Sequence, residues 1–280
     1  RLRAREAVST VLPGKISGDD IAIPAGKHYL YENTRGQRSK KTTAQYSHAS
    51  PQANQNHLTM KSLQDTFKLS NGVEIPCVGF GTFRTPNGEV AVRAVKEAIA
   101  AGYRHIDTAA VYGNERSVGA AIRESGIDRK DIFITSKLWN SDQGFDSTLR
   151  AFDKTMQALG TDYLDLYLIH WPIAKGHDGD WDKMNCETWR AMERLCLEGR
   201  IRSIGVSNFK VRHLTRLIEQ ADIVPLVNQI ELHPGLNQDE TVSYCKEQHI
   251  LVEAWGPLAQ GKIFGNAEMQ AIADRYGKNI

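Results

Sequence analysis

Short β-branched runs alternate with stretches of helical period along most of this chain. The runs are Cys77–Phe80, Tyr103–Ile106, Ile132–Thr135, Tyr163–Ile169, Ile204–Val206, Leu226–Ile230 and Leu251–Ala254. Between them apolar residues recur three and four apart. Leu149, Phe152, Met156 and Leu159 form one such stripe, with Gly160 as its C-terminal stop. Trp189, Met192, Leu195 and Cys196 form another, ahead of Gly199. Before the first run, Phe67–Leu69 and Val73–Ile75 flank Ser70-Asn71-Gly72, and the Asn-Gly turn predicts a β-hairpin. Seven strand–helix alternations in a row predict parallel strands joined by crossover helices, either a (β/α)8 barrel or an open doubly wound sheet.

Residues 1–59 break this pattern. They hold no sustained period, and Thr34–Thr59 contains almost nothing able to bury surface, which reads as disorder. The segment reads as a non-native or upstream-translated leader, with the folded domain, residues 60–280, beginning at Met60. It carries nine Lys/Arg against four Asp/Glu, so the basic excess of a chain whose net charge is +2 lies there. A balance this near neutral gives no footprint for nucleic acid or a membrane surface. No apolar run approaches the ~20 residues that span a bilayer. The four cysteines, Cys77, Cys186, Cys196 and Cys245, are widely spaced, which suits free thiols in a reducing compartment such as the cytoplasm and neither a disulfide framework nor a metal site.

The two architectures place a ligand differently. An open dinucleotide-binding sheet calls for G-x-G-x-x-G after its first strand. Here Gly79-Phe80-Gly81-Thr82 lacks the third glycine. A barrel instead gathers its chemistry at the C-terminal ends of several strands. Those ends read Asp107, Tyr112 in the next loop, Lys137, His170, Ser207-Asn208, Gln229 and Trp255. An acid, a phenol, an amine and an imidazole thus converge on one face, which favours the barrel.

The motifs Gly102-Tyr103-Arg104-His105-Ile106-Asp107-Thr108-Ala109, Thr135-Ser136-Lys137-Leu138-Trp139-Asn140 and Leu164-Asp165-Leu166-Tyr167-Leu168-Ile169-His170-Trp171-Pro172 appear in that order. Gly205-Val206-Ser207-Asn208-Phe209 and Val227-Asn228-Gln229-Ile230-Glu231-Leu232-His233-Pro234 follow. Together they resemble the aldo-keto reductases from about Asp65 onward. Glu253-Ala254-Trp255-Gly256-Pro257-Leu258 is similar to the bacterial and protozoan branch that includes methylglyoxal and diketogluconate reductases.

The resemblance implies a catalytic tetrad of Asp107, Tyr112, Lys137 and His170, with NADPH as cofactor and a small carbonyl compound as substrate. Chemistry agrees with each role. A hydride delivered to a carbonyl leaves charge on its oxygen, which a nearby acid must neutralise. Tyr112 is that acid, and a neighbouring Lys137 is expected to lower its pKa from about 10. Asp107 holds Lys137, while His170 either orients the carbonyl or shares the proton relay. The resemblance also implies nicotinamide contacts from Ser207, Asn208 and Gln229, stacking by Trp255, and further cofactor contacts from Thr82, Gly256, Leu258, Gln260 and Gly261. Phe83, Trp139 and Trp171 are expected to wall the substrate pocket, and Trp189 to pack in the core. Two other readings stay open. One is a non-catalytic nicotinamide-binding protein; the other is a cofactor-free lyase or isomerase using Lys137 as a Schiff base.

The chain departs from this pattern at its end. Relatives continue past the seventh helix with an eighth strand and helix, carrying a Pro-Lys-Ser and an Arg that hold the 2′-phosphate of NADPH. Their absence leaves NADH open as cofactor. It also predicts a truncated barrel with two unpaired parallel edges, and hence a chain that misfolds, borrows the missing unit or oligomerises where the family is monomeric.

Overall fold

β-branched runs become strands because their side chains pack on both faces of a sheet, and the intervening stripes become helices because one face of each can be buried. A computed structural model describes the backbone of Ser9–Val11 and residues 62–280. The disorder expected for Thr34–Thr59, like most of the leader, lies outside the described residues. In chain order the strands are β1 (Ser9–Val11), β2 (Thr66–Lys68), β3 (Glu74–Pro76), β4 (Val78–Gly81) and β5 (His105–Asp107). β6 (Phe133–Leu138), β7 (Leu164–Ile169), β8 (Ile201–Ser207), β9 (Val227–Glu231) and β10 (Leu251–Trp255) follow. The helices are α1 (Glu89–Ala100), α2 (Glu115–Glu124), α3 (Phe145–Leu159), α4 (Trp181–Leu197), α5 (Val211–Ile218), α6 (Asp239–Glu247) and α7 (Ala267–Arg275).

β4 to β10 run parallel in sequence order, each joined to the next through a crossover, and form the greater part of a closed barrel. Among the described residues seven strands run parallel, and the two edges expected to stand open, those of β4 and β10, are covered. β1 lies between them, antiparallel to both, pairing Thr10 with Ala254 on one side and with Val78 on the other. Two unpaired edges are an unfavourable row of free N–H and C=O groups, and a strand from upstream satisfies part of each.

Alternation along the strands sorts the side chains into two cores. Ile106, Ile134, Tyr167, Ile169, Ile204, Val206, Ile230 and Val252 face outward, where they pack with the helices. Phe133, Leu166, Leu168 and Val227 face inward and meet Leu69 and Ile75 from the β2–β3 hairpin, which seals the barrel floor. Trp189 is fully buried in the outer core, as its place in an apolar stripe predicts. Gly119 on α2 is where two helices touch: a Cβ there would stand 2.0 Å from the Leu159 carbonyl oxygen of α3. With the floor sealed and the wall filled, the open end at the strand C-termini is the place left for a ligand.

Candidate active site

Inward-facing residues at the upper ends of the strands are the polar ones. Asp107 ends β5, Lys137 lies near the end of β6, and His170 follows β7 directly. Tyr112 stands in a short helical turn after β5, set by the left-handed Gly113 that follows it. The Lys137 Nζ donates to Asp107 Oδ1 at 2.6 Å and to the Thr108 carbonyl at 3.0 Å. Both residues are buried, and such a pair holds only because each charge has a partner. The ammonium also lies 5.4 Å from the centre of the Tyr112 ring. The Tyr112 and His170 rings meet edge to face at 5.7 Å, and Trp139 packs on His170 at 5.2 Å. The four expected tetrad members are therefore one contiguous cluster.

Burial and charge compete at each member. Burial pulls the Lys137 pKa down, but Asp107 and the other anionic neighbours more than offset it and hold the ammonium above its usual range. Burial pushes the Tyr112 phenol up, against the pull of Lys137, so its pKa ends above the ordinary value. This corrects the expected lowering: in the folded barrel, loss of solvent outweighs the ammonium. His170 is driven the other way, down to about 3, by burial and then by Lys137. Its imidazole is neutral at any working pH.

A cleft of about 530 Å³ opens above this cluster. Asp107, Tyr112 and His170 line it, with Phe83, Trp139 and Trp171 as its aromatic wall. Ser207, Asn208, Gln229, Trp255, Gly256, Leu258 and Gln260 line it as well. Lys137 stands behind Tyr112, out of the cleft. Their polar groups are linked: Gln229 Nε2 donates to Asp107 Oδ2 at 2.9 Å, Asn208 Nδ2 to the His170 carbonyl at 2.9 Å, and Trp255 Nε1 to Asn208 Oδ1 at 2.9 Å. Asn208 adopts a left-handed backbone, φ 64°, which turns its amide into the mouth. Thr82 is placed elsewhere. It is fully buried, outside the cleft lining, and its Oγ1 donates to the Asp107 carbonyl, which fixes the strand end.

Six lining residues, Gly81, Pro257 and Ala259 among them, were not read as site residues from the sequence. Arg84, its φ of 62° left-handed, and Glu231 bring one charge of each sign to the rim, and Val111 adds apolar surface beside Tyr112. Arg84 stands three residues past β4 and Glu231 ends β9, positions that the strand-end rule covers only loosely.

A model of the aldo/keto reductase family matches residues 77–277. This chain belongs to the aldo/keto reductase family. It is 53% identical over 219 residues to the glyoxal reductase of Bacillus subtilis, covering 78% of this chain and 76% of that one. Among solved structures, it resembles an aldo/keto reductase from Brucella melitensis with a TM-score of 0.71 and 50% identity, over 77% of this chain and 80% of the other. A Bombyx mori aldo-keto reductase in complex with NADP aligns with a TM-score of 0.69 and 38% identity, over 78% of each chain. Family membership makes the chain an NAD(P)H-dependent oxidoreductase. Among the described residues, no helix is long and apolar enough to cross a membrane.

Proposed function

We propose that the barrel, residues 60–280, reduces small aldehydes and ketones, 2-oxoaldehydes such as methylglyoxal among them, with NADPH. The observation that carries this reading is the buried Lys137–Asp107 pair set against the ring of Tyr112 at the floor of an aromatic-walled cleft. The cleft suits the cofactor. Ser207, Asn208 and Gln229 offer amide and hydroxyl groups of the kind that read a carboxamide, and Trp255 offers a ring for stacking. Gly256 has no heavy atom within 4 Å of where a Cβ would stand, so a ligand has room to pass close to that backbone. A bound dihydronicotinamide would supply a hydride to the carbonyl carbon.

The protein's own groups do the rest. A carbonyl oxygen in the cleft is oriented by the neutral His170 imidazole, which donates a hydrogen bond and, with a pKa of about 3, does not carry the proton itself. Tyr112 gives its phenolic proton to that oxygen as charge develops there, and the Lys137 ammonium stabilises the phenolate left behind. Phe83, Trp139 and Trp171 keep water away and favour uncharged substrates of small size. The glyoxal reductase relative supports 2-oxoaldehydes as the substrate class. The four cysteines, unpaired in the structure, suit the cytoplasm as the site of action.

The decisive experiment follows NADPH consumption with methylglyoxal for the native chain and for Tyr112→Phe. The native chain should turn over, and loss of the phenol should lower kcat by about 10²–10⁴-fold with cofactor affinity retained. Full activity in Tyr112→Phe would refute the assigned acid.

A further inference from the structure

Strand alternation places Leu251, Glu253 and Trp255 of β10 on the inner face of the barrel. Leu251 packs with the floor cluster and Trp255 lines the cleft, so Glu253 lies between floor and cleft. Its register neighbour on β9 is Gln229, whose amide reaches Asp107. Glu253 is fully buried, and among the described residues neither carboxyl oxygen has a hydrogen-bond partner. A carboxyl withdrawn from water without partners costs stability, so its presence calls for a use.

We propose that Glu253 is a positioning residue of the reductase site, a second acid beneath the Lys137–Asp107 pair that keeps Tyr112 in its protonated, proton-donating form. The inference rests on the reductase reading above.

Asp107 already matches the charge of Lys137, and both its oxygens are committed, one to Lys137 and one to Gln229. After Asp107 and Tyr112, Glu253 is among the groups that strengthen the hold of Lys137 on its proton. The other groups bearing on that ammonium or on Tyr112 are Asp107 from β5, Glu115 from α2 and the neutral His170 after β7. An ionised Glu253 would add a second negative charge to the neutral pair and so disfavour the phenolate, and that charge is what Glu253→Gln removes. Reduction needs the phenol, and the reverse oxidation of an alcohol needs the phenolate. Glu253 therefore biases the site toward reduction at neutral and mildly alkaline pH.

The test compares native chain, Glu253→Gln and Glu253→Asp, in both reaction directions across pH. Glu253→Gln keeps shape and removes charge. The alkaline limb of reduction should move down by about one pH unit. At pH 8 the ratio of oxidation to reduction should rise several-fold, with Glu253→Asp restoring the native profile. A merely structural role would change melting temperature and leave both profiles superimposable, and that result overturns the proposal. A second readout does not need turnover. Phenolate absorbance, taken as the difference from a Tyr112→Phe background, should titrate at lower pH in Glu253→Gln. If the native chain reduces nothing, the reductase reading fails, while this titration still decides whether Glu253 acts on Tyr112.

Discussion

Tyr112, Lys137 and His170 show how burial sets three proton affinities in one small volume. The ammonium keeps its proton because Asp107 lies 2.6 Å away, and the imidazole loses its own because nothing comparable faces it. Lys137→Met should therefore do two things. It should lower kcat by removing the charge that receives the phenolate, and it should cost about 3–5 kcal/mol of stability by leaving Asp107 buried without its partner. Denaturant unfolding beside steady-state kinetics checks both. His170 gives a prediction about pH. With a folded pKa near 3, it stays neutral while an unfolded histidine titrates near 6.5. Reductase kcat should show no acid limb between pH 5 and 7, and a limb there that vanishes in His170→Gln would sink the neutral orienting role. The cluster of Asp107, Tyr112, Lys137 and His170 was legible because each member stands at or near a strand end and each has a chemistry of its own. Glu253 was not, since an acid between Val252 and Ala254 looks like any polar position of an alternating strand. The side-chain direction of Thr82 was not legible either. Its neighbours fix its place in the chain, but the direction of its side chain is decided by the Asp107 carbonyl and Asn114 it meets in the fold.

Helices and strands here are held by contacts that local pattern does not reveal. The stripes on α3 and α4 announced those helices, and the Asn-Gly turn announced the β2–β3 hairpin. The closeness of α2 to α3 was not announced, because a glycine in a helix signals only a missing side chain. Gly119→Ala should push the two helices apart and cost roughly 1–3 kcal/mol, read as a lower melting temperature with the fold retained. α5 carries a second pH-dependent element. The Lys210 backbone N–H donates to His213 Nδ1, which needs an unprotonated ring nitrogen. Burial, helped by Arg212 and Lys210, brings the His213 pKa down to about 4. Below pH 6.5 the unfolded chain takes up a proton that the folded one declines. Folding thus weakens as pH falls, by about 1.4 kcal/mol per unit until pH nears 4. His213→Gln should shrink the drop in melting temperature between pH 7.5 and 5. An unchanged drop would mean that other groups govern the acid sensitivity.

At the scale of the molecule, the barrel is seven parallel staves and one reversed one. Three residues, Ser9-Thr10-Val11, are too few to show a period and sit in a segment whose composition argues for disorder, so no local pattern announces them. Their effect is out of proportion to their length, because they cover two edges at once. Removing residues 1–13 should leave those edges bare, and the chain should then melt less cooperatively and self-associate, seen by calorimetry and light scattering. An unchanged melt and a monomeric profile would show that the barrel does not depend on β1.

A join this short must breathe. Amide exchange in the parallel wall should follow global unfolding, whereas the amides of Val78, Gly79, Glu253 and Ala254 beside β1 should exchange through a cheaper, local opening. Gly81 and Trp255 lie on the two strands that flank this seam, and both line the cleft. A ligand that touches both bridges the gap from above. Added cofactor should therefore slow exchange along the seam more than elsewhere in the wall, which makes occupancy of the mouth and integrity of the barrel two readings of one equilibrium.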